Sequence, residues 1–415
     1  MAFVLRLASM NGPHDARSKL EMLAADAPRT TNRDGMTRIG FAYNQKPDSP
    51  VGWVSDASSR PRRDEEPPST SDVYAEWDSA ETIDAVASAL STYGDVIRLE
   101  ATEEFPERLR AERPDIVFNI AEGLHGTNRE AHVPAICEFF RVPYSGSDPF
   151  TLSLCLHKAR TKDVLTAHGI PNAPFTLIES ASDLERLLGG DSAVNPVPSA
   201  CAPLFLKPVQ EGSSKGITEK NLVRSLGEFE AQTRFLLETY AQPVIAEAFL
   251  PGAEFTCGVL GNGAHAWVLP VVGMNFQSLP HGALPIYGFE AKWVWDSPSE
   301  PLDIFDCPAP ITSHLRSSIE AVVLRAYHVL GCRDWSRVDV RLDAAGVPNI
   351  VEVNPLPGVL PNHEDNSCLP KAARAAGLSY DQLIQTAFSH AAERSGVPLR
   401  SASASRFSIA AEAVA

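Results

Sequence analysis

Short apolar runs alternate with an amphipathic segment along the first part of the chain. Between the first two runs, apolar residues recur with a helical period up to Leu90, and Asp78 and Glu81 have the N-cap and N3 spacing of a capping box. Gly94 stands where such a helix would end. The strand-like runs are Arg38–Tyr43, Val96–Glu100 and Asp115–Ile120. Strands and helices in alternation predict a parallel sheet with right-handed crossovers, so residues 37–150 are expected to form one α/β domain.

The pattern becomes mixed after residue 150. One helix is predicted over Leu152–His168 and a longer one over Ile311–Leu330, with a buried strand at Leu204–Lys207 between them. Two polar stretches rich in proline and serine, Ala57–Asp72 and Gly190–Pro203, carry too little apolar surface to form a core. We interpret both as surface insertions in a chain that is otherwise α/β and α+β.

Two runs of alternating apolar and polar residues flank a Gly/Pro turn between Arg337 and Asn354, a pattern that predicts an antiparallel hairpin. With the turn centred between residues 345 and 346, Asp339 lies opposite Glu352. One face of the hairpin then carries Arg337, Asp339, Glu352 and Asn354. The other face is expected to be buried and carries Val338, Val340, Val351 and Val353. Carboxylate and amide oxygens on adjacent strands suit Mg²⁺, although a solvated face with cross-strand ion pairs explains this hairpin equally well.

Composition limits the kinds of partner. The 415 residues include 36 Lys and Arg against 52 Asp and Glu, a formal charge of −16, which argues against a protein that coats nucleic acid or an anionic membrane. Seven scattered cysteines, none spaced as Cys-x-x-Cys, argue against a disulfide framework or zinc knuckle and favour a reducing cytoplasm. No apolar run is long enough for a membrane helix or an export signal. Residues 1–36 lack periodicity and are expected to be a disordered extension or to precede a true start at Met36.

Two further segments have the residue types of a phosphate site and a base site. Lys207 closes an apolar strand, and the flexible, hydroxyl-rich loop Gly212–Gly216 follows. Such a loop can surround phosphates with N–H groups while the lysine supplies a charge. It lacks Walker spacing, and alone it is more simply an ordinary turn. Further on, Glu247 and Glu254 flank Ala248–Leu250, a segment that could hold a purine and its ribose but that alone is more simply a strand–turn–strand.

In order along the chain, these segments resemble the ATP-grasp superfamily and, within it, the D-alanine–D-alanine ligases. The resemblance rests on the strand lysine with its Gly-Ser loop, the segment from Glu247 to Thr256, the segment Tyr287–Trp293 and the hairpin that continues into Pro-Leu-Pro-Gly. It covers about residues 37–390 and implies a nucleotide-fold-like α/β domain followed by a two-subdomain ATP-grasp fold. The implied divisions are an extension at 1–36, the N-terminal domain at 37–150, a lid subdomain at 151–250, a C-terminal subdomain with the metal site at 251–395, and a flexible tail at 396–415.

The resemblance implies an ADP-forming ligase, in which ATP phosphorylates one carboxylate and an amine attacks the acyl phosphate. It also implies two Mg²⁺ ions, replaceable by Mn²⁺. The residues implied to bind ATP are Lys158, Lys207, Ser213, Glu247, Leu250 and Glu254. Those implied in the chemistry are Lys292 at the transferred phosphate, Arg337 and the Gly358 N–H at the oxyanion, and Ser214 in the closing loop. The implied metal ligands are Asp339, Glu352 and Asn354, and the substrate-binding residues are Glu76, His125, Trp293 and Ser367.

Departures from the family pattern fall around the amino-acid pockets. The segment His125–Glu130 stands where the family has His-Gly-x-x-Gly-Glu-Asp, Glu76 matches the amine-binding glutamate only approximately, and Trp293 replaces a tyrosine. A few extra residues separate Gly358 from Ser367. D-Alanine is therefore the lead substrate, with two alternatives open: the same chemistry on another amino acid or specialised metabolite, and a nucleotide-binding protein without ligase activity. The resemblance further implies small amino-acid substrates, a homodimer, and neither nucleic acid nor membrane as partner.

Overall fold

The computed structural model of the protein describes residues 36–47, 74–189, 203–288, 291–295 and 302–399. These ranges leave out the predicted insertion Ala57–Asp72, nearly all of the second insertion, nearly all of the N-terminal extension and most of the tail.

Thirteen strands and ten α-helices are found in the described residues. The strands are β1 (Thr37–Tyr43), β2 (Gly94–Glu100), β3 (Ile116–Asn119), β4 (Phe175–Ile178), β5 (Leu204–Pro208), β6 (Leu222–Val223), β7 (Val244–Ala248), β8 (Glu254–Leu260), β9 (Trp267–Val268), β10 (Val272–Met274), β11 (Phe305–Asp306), β12 (Trp335–Leu342) and β13 (Pro348–Asn354). The helices are α1 (Ala80–Ser91), α2 (Phe105–Glu112), α3 (His132–Phe140), α4 (Pro149–Leu156), α5 (Lys158–Ala167), α6 (Ala181–Leu188), α7 (Leu226–Tyr240), α8 (Ser313–Val329), α9 (Cys368–Ala375) and α10 (Tyr380–Ser395).

The first sheet is parallel, in the order β2-β1-β3, as the alternating pattern predicts. Its first helix begins differently from the prediction, because Ser79 rather than Asp78 is the N-cap and accepts a hydrogen bond from the Thr82 N–H. The capping box of Asp78 and Glu81 is therefore wrong. Gly94 begins β2 instead of ending the helix: a Cβ at this position would lie 1.9 Å from the Thr37 carbonyl oxygen, so the close approach of β1 requires glycine.

Two antiparallel sheets follow, in the orders β4-β7-β5-β6 and β11-β10-β8-β12-β13, with β9 paired to β8. The helix predicted over Leu152–His168 is two helices, α4 and α5. His157 between them has extended backbone angles (φ −92°, ψ 90°), and its side chain accepts a hydrogen bond from the Arg160 N–H to start α5. The mixed α/β architecture is confirmed, and the division into domains at residues 150 and 250 stays a prediction.

The first sheet packs against strand β12 and helix α10 in one common hydrophobic core. The Phe118 ring of β3 packs against Trp335 on β12 and Phe388 on α10, with ring centroids 5.3 and 6.1 Å apart. Asp334, fully buried, accepts hydrogen bonds from the Gly146 N–H and from Arg394 on α10, both at 2.8 Å. These contacts set the carboxyl ends of β1 and β3 beside the hairpin β12–β13. None of the helices within the described ranges has the length and apolarity to cross a membrane.

Candidate active site

The strand pair β12–β13 supplies the centre of the site. Asp339 pairs with Glu352 and Arg337 with Asn354, as the symmetric hairpin predicts. Arg337 donates from Nε and Nη2 to the two oxygens of Asp339 at 3.2 and 3.1 Å, and the Thr256 hydroxyl on β8 donates to the same carboxylate at 2.8 Å. Asp339 thereby lines a cavity of about 250 Å³, which we call the first cavity.

A β-bulge changes the register immediately after Asp339. Val340 pairs with Ile350 rather than with Val351. Ile350 is buried, whereas Val351 is only partly buried and lines the first cavity. The predicted burial of Val351 is wrong because the extra residue on β13 turns this side chain away from the core.

Glu352 is held as a carboxylate by the cations around it. The Lys158 ammonium at the start of α5 lies 2.8 Å from Glu352 Oε1 and also donates to the Glu211 carbonyl at 2.5 Å. Burial opposes the ionisation of Glu352, but Lys158 and Arg337 outweigh it and lower its pKa to about 2. The side chain therefore carries a negative charge throughout the physiological pH range.

A second charged group lies on the wall formed by α5, β5 and β7. Glu247 is 4% exposed, and its two oxygens lie 3.1 Å from Lys162 Nζ and 2.8 Å from Lys207 Nζ. Burial disfavours the charged form of Glu247, yet the two lysines hold its pKa below the usual range. Two cations against one carboxylate leave a positive charge at the cavity wall, a suitable setting for phosphate oxygens.

The far end of the first cavity is apolar and aromatic with charged edges. Leu250 and the Phe249 ring line it, and the Arg341 guanidinium lies 4.9 Å from the centroid of that ring. Arg341 also forms an ion pair with Glu254 at 2.7 Å. An apolar slot bordered by a few polar groups suits a flat heterocycle with polar substituents.

The Gly-Ser loop between β5 and β6 lies against this cavity. Ser213 and Ser214 both have left-handed backbone angles, φ 50° and 61°, and the Ser214 hydroxyl donates to the Tyr287 carbonyl at 3.0 Å. The Lys215 ammonium lies 3.0 Å from Glu76 and 2.7 Å from Glu211. Left-handed serines are costly and occur where the surrounding structure imposes them, often at functional sites.

A second cavity, of about 190 Å³, adjoins the first. Both are lined by Lys158, Lys292, Arg337 and Glu352, so these charged side chains form the common wall. Asn354, Gly358 and Glu76 line the second cavity. Burial and the nearby Arg337 lower the pKa of Lys292 to about 8.

The four predicted substrate residues are not found together in one cavity. His125 is exposed and lines neither cavity. Ser367 lines the first cavity rather than the second, and its hydroxyl accepts a hydrogen bond from the Leu360 N–H at 3.3 Å. The side chain of Trp293 lies outside the described part of the structure. Glu76 is present in the second cavity, but both of its oxygens accept hydrogen bonds from Arg129, at 3.1 Å.

Several residues of the two cavities were not predicted. Lys162 lies four positions after Lys158 on one helix face, and Arg341 two positions after Asp339 on one strand face, so periodicity alone could have indicated both. The remaining acidic residues of the second cavity come from separate loops that only the fold brings together: Asp78, Glu122 and Glu130.

Within the described ranges, no group of three or more His, Cys, Asp or Glu side chains is placed to hold a metal ion. Asp339 and Glu352 are two carboxylates from adjacent strands, and Asn354, two residues after Glu352 on β13, has an amide oxygen of the kind that Mg²⁺ binds. This donor set fits Mg²⁺ when a bound phosphate supplies further oxygens.

Several known proteins with similar sequences or folds are D-alanine–D-alanine ligases. The family model described as D-ala D-ala ligase C-terminus matches residues 164–388. The D-alanine–D-alanine ligase B of Chromobacterium violaceum is 32% identical over 302 residues, 72% of this chain and 88% of that protein. The D-alanine–D-alanine ligase of Bordetella pertussis is 35% identical over 286 residues, 68% of this chain and 80% of that protein. The crystal structure of the D-alanine–D-alanine ligase from Bacillus anthracis complexed with ATP has a TM-score of 0.60 at 19% identity, covering 87% of this chain and 99% of the other, a likeness of fold.

Proposed function

The chain belongs to the D-alanine–D-alanine ligase family, and from that premise we propose that it is an ATP-dependent, ADP-forming ligase that joins an amino-acid carboxylate to an amine. The observation that carries the proposal is the shared wall of the two cavities. Lys158, Lys292 and Arg337 stand there beside Glu352, between a cavity suited to a nucleotide and a cavity suited to an amino acid. A reaction that transfers phosphate from one cavity to a carboxylate in the other needs cations at this place.

ATP would occupy the first cavity with its adenosine in the aromatic slot. Leu250 and Glu254 would contact the base and ribose, and Glu247 would orient them through the buried lysine pair. The phosphates would extend toward Lys207 and Lys158 under the Gly-Ser loop. The contact of Ser214 with Tyr287 supports a closed loop, which would keep water from a reactive acyl phosphate.

Asp339, Glu352 and Asn354 would hold the Mg²⁺ ions, with Mn²⁺ as a substitute. When bound, these ions would neutralise phosphate charge and orient the transferred group. Because its pKa is already near 2, Glu352 can act as a ligand without first losing a proton.

The protein's own residues would perform the remaining steps by placing charge. Lys292 would contact the phosphate as it moves to the carboxylate of the first substrate. The amine of the second substrate would then attack that carbonyl, and the oxyanion would be stabilised by Arg337 and the Gly358 N–H. Departure of inorganic phosphate, with release of the amine proton to water, leaves the amide. Ser367 would bind the carboxylate of the second substrate from its place beside Leu360.

The names of the relatives make D-alanine the lead substrate for both positions and cell-wall precursor synthesis the lead pathway. Another amino acid or a specialised metabolite is the second candidate, favoured by the position of His125 outside both cavities and by the engagement of Glu76 with Arg129 and Lys215. A nucleotide-binding protein without ligase activity is disfavoured, because the charged residues of the common wall are all present.

We place this reaction in the cytoplasm, where ATP is available. The six described cysteines are free thiols, which agrees with a reducing compartment. A homodimer stays a prediction of the family resemblance.

The test is ADP release by purified protein with Mg²⁺-ATP and a panel of D- and L-amino acids, with the product mass recorded. Lys207→Met should abolish ADP release, and Lys220→Met, on an exposed lysine of the same subdomain, should retain it. D-Alanyl-D-alanine as product would identify the lead substrate, and another dipeptide mass the second candidate. ATP binding with no ADP release under any condition would refute the ligase proposal.

A further inference from the structure

The second cavity lies at the switch point of the first sheet. The chain runs from β1 to β2 on one side and returns to β3 on the other side of β1. Ligands of open parallel sheets bind in the crevice outside the carboxyl ends of such strands. Here the loops meet directly, because the Gly123 N–H donates to the Asn44 side chain at 2.9 Å and the Trp77 indole donates to the Gly123 carbonyl at 3.0 Å.

Three carboxylates line this crevice: Asp78 before α1, Glu122 after β3, and Glu130 in the short 3₁₀ helix at Arg129–Ala131. Glu130 is 9% exposed, and within the described residues its carboxylate accepts no hydrogen bond and forms no ion pair, although Arg129 and Lys158 are near enough to lower its pKa. A buried carboxylate without a partner, facing a cavity, is costly unless a ligand or a proton neutralises it.

Three of the neighbouring cations are engaged elsewhere, and a fourth, Lys46, also lines the cavity and lowers the pKa of Asp78. Arg129 and Lys215 bind Glu76, and Lys158 binds Glu352. The cavity lining as a whole has six carboxylates and four cationic side chains.

The burial of these carboxylates raises their pKa values. Burial, opposed only partly by Lys46, raises the pKa of Asp78 to about 7. Burial together with the charges of Glu130 and Glu76 raises the pKa of Glu122 well above its usual value. Glu130, Glu76 and Asp78 each make Glu122 harder to ionise, and an added positive charge in the cavity would favour the ionised form of these carboxylates.

A metal ion does not satisfy this geometry, since no described group of three acidic, histidine or cysteine side chains converges on one point. An organic cation with more than one charged group can contact carboxylates that stand apart. The cavity, about 190 Å³, has room for an amino acid rather than a single ion.

Resting on the ligase function proposed above, we propose that the second cavity takes a basic amino acid as the carboxylate substrate. Its side-chain cation and α-ammonium lie against Asp78, Glu122 and Glu130, and its carboxylate points to Lys292 and Arg337 at the common wall. Alanine would leave most of this acidic wall without a partner, which is a penalty that a basic side chain removes.

The test compares cationic amino acids with neutral ones of similar length. Lysine and ornithine, each as the D and the L form, are measured against norleucine and norvaline in the ADP-release assay with wild-type protein, Glu130→Gln and Glu122→Gln. We expect kcat/KM at least tenfold higher for the cationic member of each pair in wild type, and a ratio reduced at least threefold in the two variants. Glu107→Gln, on an exposed carboxylate of α2, should leave the ratio unchanged.

Binding separates this inference from the ligase proposal. The same ligands are titrated calorimetrically without ATP, and tighter binding of lysine than of norleucine is expected. Turnover of D-alanine with equal or weaker use of the cationic amino acids would overturn the inference and leave the ligase function intact. If no amino acid supports ADP release, the ligase proposal fails, and equal calorimetric affinities for lysine and norleucine would then overturn the inference as well. A ratio unchanged in Glu130→Gln would also overturn it.

Discussion

Glu130 should make the stability of the ligand-free protein fall as the pH rises. Burial, reinforced by Glu76 and opposed by Arg129, raises the pKa of its carboxyl from 4.5 to about 8. Between these two values the folded protein keeps a proton that the unfolded chain has released, so the stabilising contribution is complete below pH 4.5 and is lost as the pH rises through 8. Each pH unit costs about 1.4 kcal/mol in the middle of this range, which amounts to about 3 kcal/mol between pH 5.5 and pH 8.

Urea unfolding followed by tryptophan fluorescence at pH 5.5, 7 and 8 would measure this loss. Glu130→Gln, which has no proton to release, should gain about 3 kcal/mol relative to wild type across that interval. Glu107→Gln, an exposed carboxylate, should give a curve parallel to wild type. If the wild-type and Glu130→Gln curves also run parallel, the carboxyl is not buried without a partner and the reasoning about the second cavity is refuted.

Three further perturbations probe the common wall and the loop. Glu352→Gln should fold but release ADP at least about 100-fold more slowly, because a metal ligand is lost; wild-type rates measured by a coupled ADP assay would exclude the assignment. Gly212→Ala should lower kcat at least about tenfold with an unchanged circular dichroism spectrum, because its Cβ would lie 2.2 Å from the oxygen of Glu76; an unaltered kcat would show that the loop does not need this approach. ATP affinity, measured by calorimetry, should weaken above pH 8 as Lys292 loses its proton, and Lys292→Arg should remove this dependence; the same pH profile in both proteins would contradict the role of Lys292.

The hairpin was predictable because the residues that determine its strand pairing are close together in the sequence. Alternation and a single turn fix the pairing of Asp339 with Glu352, and the observed register follows them. The bulge after Asp339 leaves no mark in the apolar pattern, so the position of Val351 could not be predicted. The role of Gly94 was missed for a similar reason: its glycine is required by contact with Thr37, which is distant in sequence.

The family motifs identified the residues of the common wall but not the far end of the second cavity. His125 matches the family's His-Gly motif in sequence. In the folded chain, however, the loop directs Glu122 and Glu130 into the second cavity and leaves His125 exposed. The partners of Glu76, Arg129 and Lys215, come from two different segments that meet only in the folded chain. Residue positions that depend on such long-range contacts can be read only from the structure and not from the sequence.

The most direct test of the central claim follows an oxygen atom. An amino acid that supports ADP release is labelled with ¹⁸O in its carboxylate, and the inorganic phosphate formed with Mg²⁺-ATP is examined by mass spectrometry. Activation through an acyl phosphate predicts one ¹⁸O transferred to phosphate for each amide formed. Phosphate without ¹⁸O, or AMP in place of ADP, would contradict the account.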